Sequence, residues 1–413
     1  MRDFDRNYLD VAVAFLNDGF LQEAQQLFDR YTGRKSQEMT YYMGYIEHLK
    51  GNKRAAGLYF SEASGMPVDY GFPYRMETLR VLQTAGEYDP MNSRPWYYLG
   101  NLLYDKQPAK AIESWEKAVR IEPTLAIAWR NLGWGYFYHS KDLKKAITAY
   151  EKAMELRKDD PVYYAELDPL YEMNNTPIEK RAAIFSGMND VVKQRDDAFV
   201  REIMVLNLSG QADKSVEYLG KSNFHFREGS SRVRDITVDA HILLGMQYMN
   251  EKKFDAALKQ FLATIESPEN SGRFGDNRGP QINYFTGLAY EALGQKAKAK
   301  TYFALSSNHQ SRQTDYIKYY QGLSCLKLGN KARANELFNA LINEGETRIK
   351  KGSETDFFAK FGEKEAANVQ LSNAYLLKGL GYKGLGEKDK ASENLKKATE
   401  LSASNLYAKV EGE

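Results

Sequence analysis

The constraint that most limits what this chain can fold into is a repeat. Trp96 and Gly100 are answered by Trp129 and Gly133, a step of 33 residues, and the pairs Ala118/Ala153, Gly287/Gly322, Ala299/Ala334 and Phe303/Phe338 each stand 35 apart. A period of this length means one small unit stacked on copies of itself, since a single unit cannot bury its apolar face alone. Within a unit the order is a small residue, about twelve residues to an alanine, four more to a large ring, and often three to a second alanine. Gly100, Ala111, Trp115 and Ala118, followed by Pro123, show it most fully. Two antiparallel helices explain the spacing: the small residues let their backbones approach, and the ring one turn later fills the space beside them. Gly294, Gly329 and Gly386 stand where a first helix ends in a left-handed conformation, and Pro123 where a second helix must stop.

Units begin near Asp5, Gln37, Ser93, Ala126, Val238, Pro280, Asp315 and Ser372, and two divergent stretches, 161–189 and 196–221, keep helical periodicity. The spacing resembles the tetratricopeptide repeat. That resemblance implies an all-α, right-handed superhelical solenoid of about ten helix pairs with three insertions. The first insertion, 65–89, is expected to add a helix near 73–88 after Pro73, and the others lie near 267–280 and 344–366. The expected organisation is an N-terminal array over 1–190 and a C-terminal array over 191–413, ending in a polar stretch from 401.

Composition excludes several functions. Lys and Arg number 57 against 55 Asp and Glu, so no cationic excess is available to neutralise a run of nucleic-acid or lipid phosphates. Apolar runs such as 11–16 are far too short to span a bilayer, and the start lacks the pattern of a signal peptide. The expectation is a cytoplasmic chain, with the periplasm open if the sequence is cut from a secreted precursor. Cys325 is the only cysteine, so no internal disulfide or thiolate zinc site is available. The five histidines are scattered, no phosphate loop or dinucleotide fingerprint occurs, and the acidic pairs 159–160 and 196–197 read as helix caps. The reading is therefore a non-catalytic protein with no cofactor and no metal.

What a stack of hairpins does offer is an extended concave wall built from the first helix of each unit. Counting the small residue as position 8, positions 2, 5, 9, 12 and 13 face that groove. They place Tyr41, Tyr45, Tyr97, Asn101, Tyr104, Arg130, Trp134 and Tyr138 there, with Glu38 and His48 in the second unit. Rings give contact area at little entropic cost, and Tyr hydroxyls add hydrogen bonds, which suits an extended peptide segment of a partner protein or a sugar. Tyr284, Tyr316 and Tyr319 form a sparser second strip. Some tetratricopeptide domains grip a partner's C-terminal carboxylate with Lys and Asn. Asn101 and Asn131 match two of those positions, but Tyr97 replaces the first Lys, so that activity is not expected.

A closer resemblance rests on irregular pieces in order: 96–105 (WYYLGNLLYD), 129–133 (WRNLG), 224–229 (FHFREG) and 356–359 (DFFA). Together they are similar to the C-terminal repeat region of large bacterial proteins that begin with a β-rich, mutarotase-like domain. The family's loop continues with Pro-Trp after the position of His225, where this sequence has Phe226 and Arg227. The resemblance implies an alternative role as the helical accessory of a carbohydrate-processing protein. The partner would then be its own N-terminal domain, with His225, Arg227 and Glu228 on the interdomain loop. Neither reading names the partner or the oligomeric state.

Overall fold

The structure is a computed structural model that describes residues 4–68, 71–221, 231–264, 278–310, 314–351 and 367–412. These residues form 23 α-helices and no strand. The chain divides into two units, Met1–Lys158 and Asp159–Glu413.

In the first unit, α1 (Asp5–Asn17) and α2 (Leu21–Arg30) form a hairpin, as do α3 (Gln37–Leu49) and α4 (Lys53–Ser64). A single helix, α5 (Thr78–Tyr88), follows. Two more hairpins complete the unit: α6 (Ser93–Leu103) with α7 (Pro108–Ile121), and α8 (Ala126–Tyr138) with α9 (Leu143–Leu156). The second unit opens with α10 (Pro161–Met173), α11 (Ile178–Phe185), α12 (Asn189–Val192), α13 (Asp196–Leu208) and α14 (Ala212–Gly220). Four hairpins follow: α15 (Ser231–Asn250) with α16 (Phe254–Ala263), α17 (Gly279–Ala292) with α18 (Lys296–Ser307), α19 (Ile317–Lys327) with α20 (Lys331–Lys351), and α21 (Ala367–Leu385) with α22 (Lys388–Leu401). A last helix, α23 (Leu406–Gly412), ends the chain.

Six of the eight regular hairpins start within two residues of where the repeat places them, while α15 and α21 begin seven and five residues ahead of the expected Val238 and Ser372. The hairpins' common cause is close approach: a Cβ added at Gly100 would stand 2.4 Å from the Trp115 ring, and one at Gly322 2.3 Å from Phe338. Turns follow the expected chemistry, with Gly329 at φ 82 and Gly386 at φ 81. Lys141 (φ 56) and Lys252 (φ 59) hold the left-handed conformation at equivalent turns without glycine.

Four expectations change. The division between arrays falls at Lys158/Asp159 rather than 190, because α10 and α11 pack on α13 and are pinned to it by buried charge. Asp168 of α10 accepts from Arg181 Nε (2.7 Å) and Nη2 (2.9 Å) of α11 and from Arg201 Nε (2.6 Å) of α13. The extra helix begins at Thr78 and packs against both α3 and α6. The third insertion begins as helix, since α20 runs on to Lys351 against the nearly as long α21, while 352–366 lie outside the described residues. The terminal stretch is an ordered element: Asn405 accepts from the Ala408 N–H (3.1 Å) and starts α23, in which Tyr407 and Ala408 are buried. His225, Arg227 and Glu228 also lie outside the described residues, as does 265–277.

Candidate functional site

The first unit carries the denser cluster of expected residues. Along α8, Arg130, Trp134 and Tyr138 recur at four-residue steps and so share one stripe. Trp134 is 39% and Tyr138 48% exposed, and their rings lie 4.1 Å apart between centroids, tilted by 37°. On α6 the stripe continues with Asn101 and, just past the helix end, Tyr104. Tyr104 packs on Trp115 (5.3 Å between centroids) and shares a hydrogen bond with Trp134. An indole N–H only donates, so the Tyr104 oxygen accepts it. Burial pushes the Tyr104 phenol up, and that hydrogen bond pulls the other way.

Behind the rings lies an amide relay. Asn101 Oδ1 accepts from Trp115 Nε1 (3.0 Å) and from Asn131 Nδ2 (2.8 Å). Two converging donors fix which end of the Asn101 amide is oxygen. Its Nδ2 is left buried with no hydrogen-bond partner in the protein. A buried donor in that condition is costly unless it meets an acceptor.

Two of the expected groove residues are interior instead. Tyr41 is 2% and Tyr97 1% exposed. Tyr41 packs between Phe60 of α4 and Tyr98 of α6, its hydroxyl 2.9 Å from Ser64 Oγ, and burial drives its phenol well above the ordinary value. Tyr97 packs edge-on against Tyr98 (4.9 Å), and its carbonyl accepts from Trp115 Nε1 (3.2 Å). Both rings are thus enclosed by side chains of neighbouring helices, while the added helix α5 packs on α3 and α6 beside them. Tyr45 is half-buried and stacked on His48 (6.1 Å), whose Nδ1 is 3.0 Å from the Tyr88 hydroxyl of α5. Glu38 meets the first insertion as well: Arg75 donates to Glu38 Oε1 (3.3 Å) and to Asp10 of α1.

In the second unit the sparser strip is covered by the chain itself. Tyr407 of α23 stacks on Tyr316 at 4.6 Å. Its hydroxyl accepts from Arg278 Nη2 (2.6 Å) and donates to Asp239 Oδ1 of α15 (2.5 Å). One turn later, Glu411 accepts from the Tyr320 hydroxyl of α19 (3.0 Å) and from Lys383 Nζ of α21 (2.8 Å). The helix thus lies across a row of first helices. The terminal segment also reaches the start of its unit. Asn175 Nδ2 donates to the Glu400 carbonyl (2.8 Å), Asn175 Oδ1 accepts from the Ala403 N–H (2.7 Å), and Lys409 Nζ donates to the Leu208 carbonyl (3.0 Å). Sequence reading missed Arg278, Asp239, Tyr407 and Glu411. The one available signal was Asn405, a helix-capping residue three positions before Ala408.

Among the described residues, no group of three or more His, Cys, Asp or Glu side chains is placed to hold a metal ion. No described helix is long and apolar enough to cross a membrane.

Stacked two-helix hairpins, six of the eight with a close glycine–ring contact, define a helical repeat protein. More particularly, residues 128–160 and 372–405 match the family model of the tetratricopeptide repeat, so the chain contains such repeats in both units. Similar solved structures include YrrB, a TPR protein with an unusual peptide-binding site, at 17% identity over 46% of this chain and 93% of that one, with a TM-score of 0.33. MamA is 22% identical over 43% of this chain and 91% of that one, with a TM-score of 0.30. The Naa15/Naa10 structure bound to HypK-THB is 13% identical over 99% of this chain and 65% of that one, with a TM-score of 0.34.

Proposed function

We propose that this protein is a non-catalytic scaffold that docks an extended segment of a partner protein on the face carrying Tyr104, Arg130, Trp134 and Tyr138. The observation that carries the reading is the Trp134–Tyr138 pair, two large rings in contact with each other on one helix stripe and both open to solvent. Rings of this kind, held rigid by their neighbours, are the residue types that dominate binding energy in interfaces. Arg130, one turn before Trp134, adds a cation at the same stripe.

The test is selection of peptides from a displayed random library on the purified chain, followed by affinity measurement with a Trp134→Ala, Tyr138→Ala variant. Removing two central rings is expected to cost about 2 kcal/mol or more, roughly thirtyfold in affinity, with melting unchanged. Selected peptides that bind parent and variant alike would defeat the proposal.

A further inference from the structure

The C-terminal helix has the character of a bound ligand more than of a core element. It packs on α22 and α21 and reaches past them to the other first helices of its unit. It has seven residues, too few for a helix to stand alone in water. Among them only Tyr407 and Ala408 are buried. Beyond the packing of Tyr407 and Ala408 against the core, a set of directional contacts holds it: Arg278 and Asp239 on the Tyr407 hydroxyl, Tyr320 and Lys383 on the Glu411 carboxylate, and the Leu208 carbonyl on Lys409. Lys383 Nζ donates to the Glu411 carbonyl too (2.6 Å).

The receiving surface is assembled in advance by other elements. Arg278 also donates to Gln281 Oε1 from Nε (3.0 Å) and Nη2 (2.7 Å), and to Asp235 (3.3 Å), so its guanidinium is fixed beside the phenol. A hydroxyl held between a fixed donor and a fixed acceptor is read as a tyrosine. Phenylalanine in its place leaves both groups short of a partner. The carboxylate is read one turn later by a hydroxyl and an ammonium. Together these set a pattern of Tyr, three residues, then an acidic residue on a helix.

We infer that the inner face of the second unit, formed by Asp239, Arg278, Tyr316, Tyr320 and Lys383, is a recognition site for a helical segment of that pattern, and that α23 is its resident occupant. The tether gives α23 a high effective concentration, so the site is closed to other copies until the terminal segment is weakened or outcompeted. This site lies in a different unit from the aromatic stripe, and either can fail without the other.

The experiment uses the full chain and a fluorescent peptide spanning residues 401–412, read by anisotropy. In the Tyr407→Phe, Glu411→Gln variant the occupant loses its recognition groups while keeping its shape. That variant is expected to bind the peptide at least tenfold more tightly than the parent does. A peptide with phenylalanine in place of its tyrosine should bind the variant at least tenfold less well. Equal response of parent and variant, no binding by either, or indifference to the phenylalanine would each overturn the inference. Hydrogen exchange on the parent supplies a second reading. Amides of α23 are expected to exchange at least tenfold faster than those of α21 and α22. Equal protection, or loss of the cooperative melt in the variant, would make α23 a core element and overturn the inference equally.

Discussion

Replacing Asp168 by alanine tests the account of how the second unit is joined at its start. The carboxylate is fully buried and serves two guanidinium groups, Arg181 through two hydrogen bonds and Arg201 through one. In the variant, Arg181, itself wholly buried, keeps Ser404, and Arg201 keeps Glu172 at 2.7 Å. Neither retains its main counter-charge. Breaking a buried pair from one side costs about 3–5 kcal/mol, because the remaining charge has lost its water as well as its partner. For a unit of this size, each kcal/mol moves the midpoint roughly 2–4 °C, so a fall of about 6–20 °C is expected by far-UV circular dichroism. Asp190→Ala, which removes an exposed pair with Lys193, should leave the midpoint in place. If the unpaired charge is the cause, the triple variant Asp168→Leu, Arg181→Met, Arg201→Met should recover much of the loss. A midpoint within a degree or two of the parent, or a triple variant less stable than Asp168→Ala, would refute the reasoning.

Glu202 provides a pH dependence of predictable sign. Burial holds its carboxyl up at about 7, against an ordinary 4.5, with the Asn189 amide pulling the other way. The folded chain therefore binds this proton more tightly than the unfolded chain. Its contribution to stability is complete below about pH 4.5 and is lost as pH rises through about 7. Glu202→Gln should remove that part of the decline in urea titrations between about pH 4.5 and about pH 7, and a variant that declines as the parent does would contradict the assignment. Gly322→Ala should cost about 1–3 kcal/mol, since its Cβ would sit 2.3 Å from Phe338 and push α19 off α20. Chemical denaturation reads that cost, and an unchanged midpoint would mean the hairpin has room to spare. Tyr41→Phe removes the hydroxyl contact to Ser64 from a buried site and should cost about 1 kcal/mol of stability while leaving peptide affinity at Trp134 as it was. Reduced affinity with an unchanged melt would return Tyr41 to the binding face.

Much of the architecture was legible because it is local. The interval from Gly100 to Ala111 to Trp115 states how two adjacent helices touch, and a contact within some fifteen residues depends on little beyond its own hairpin. The same locality exposed Arg130, Trp134 and Tyr138, whose shared stripe follows from helical pitch alone. Tyr41 and Tyr97 were misread because side chains from other helices and neighbouring positions, Phe60 and Ser64 around the one and Tyr98 beside both, enclose them. Position within a repeat specifies the direction of a side chain. It does not specify what stands opposite.

By itself, then, the sequence determined the hairpins, their turns and the rings they carry, because helix pitch, glycine at a close approach and left-handed turns act over a few residues. Only the tertiary structure decided what meets across long separations. Examples are the pairing of Asp168 with Arg201, the covering of the second aromatic strip by α23, and the return of the last residues to Asn175 and Leu208. Those contacts join residues as many as 228 apart in the chain, and no period or local propensity encodes them. They arise from the summed rotation of successive hairpins, in which each step is small and the end point depends on all of them.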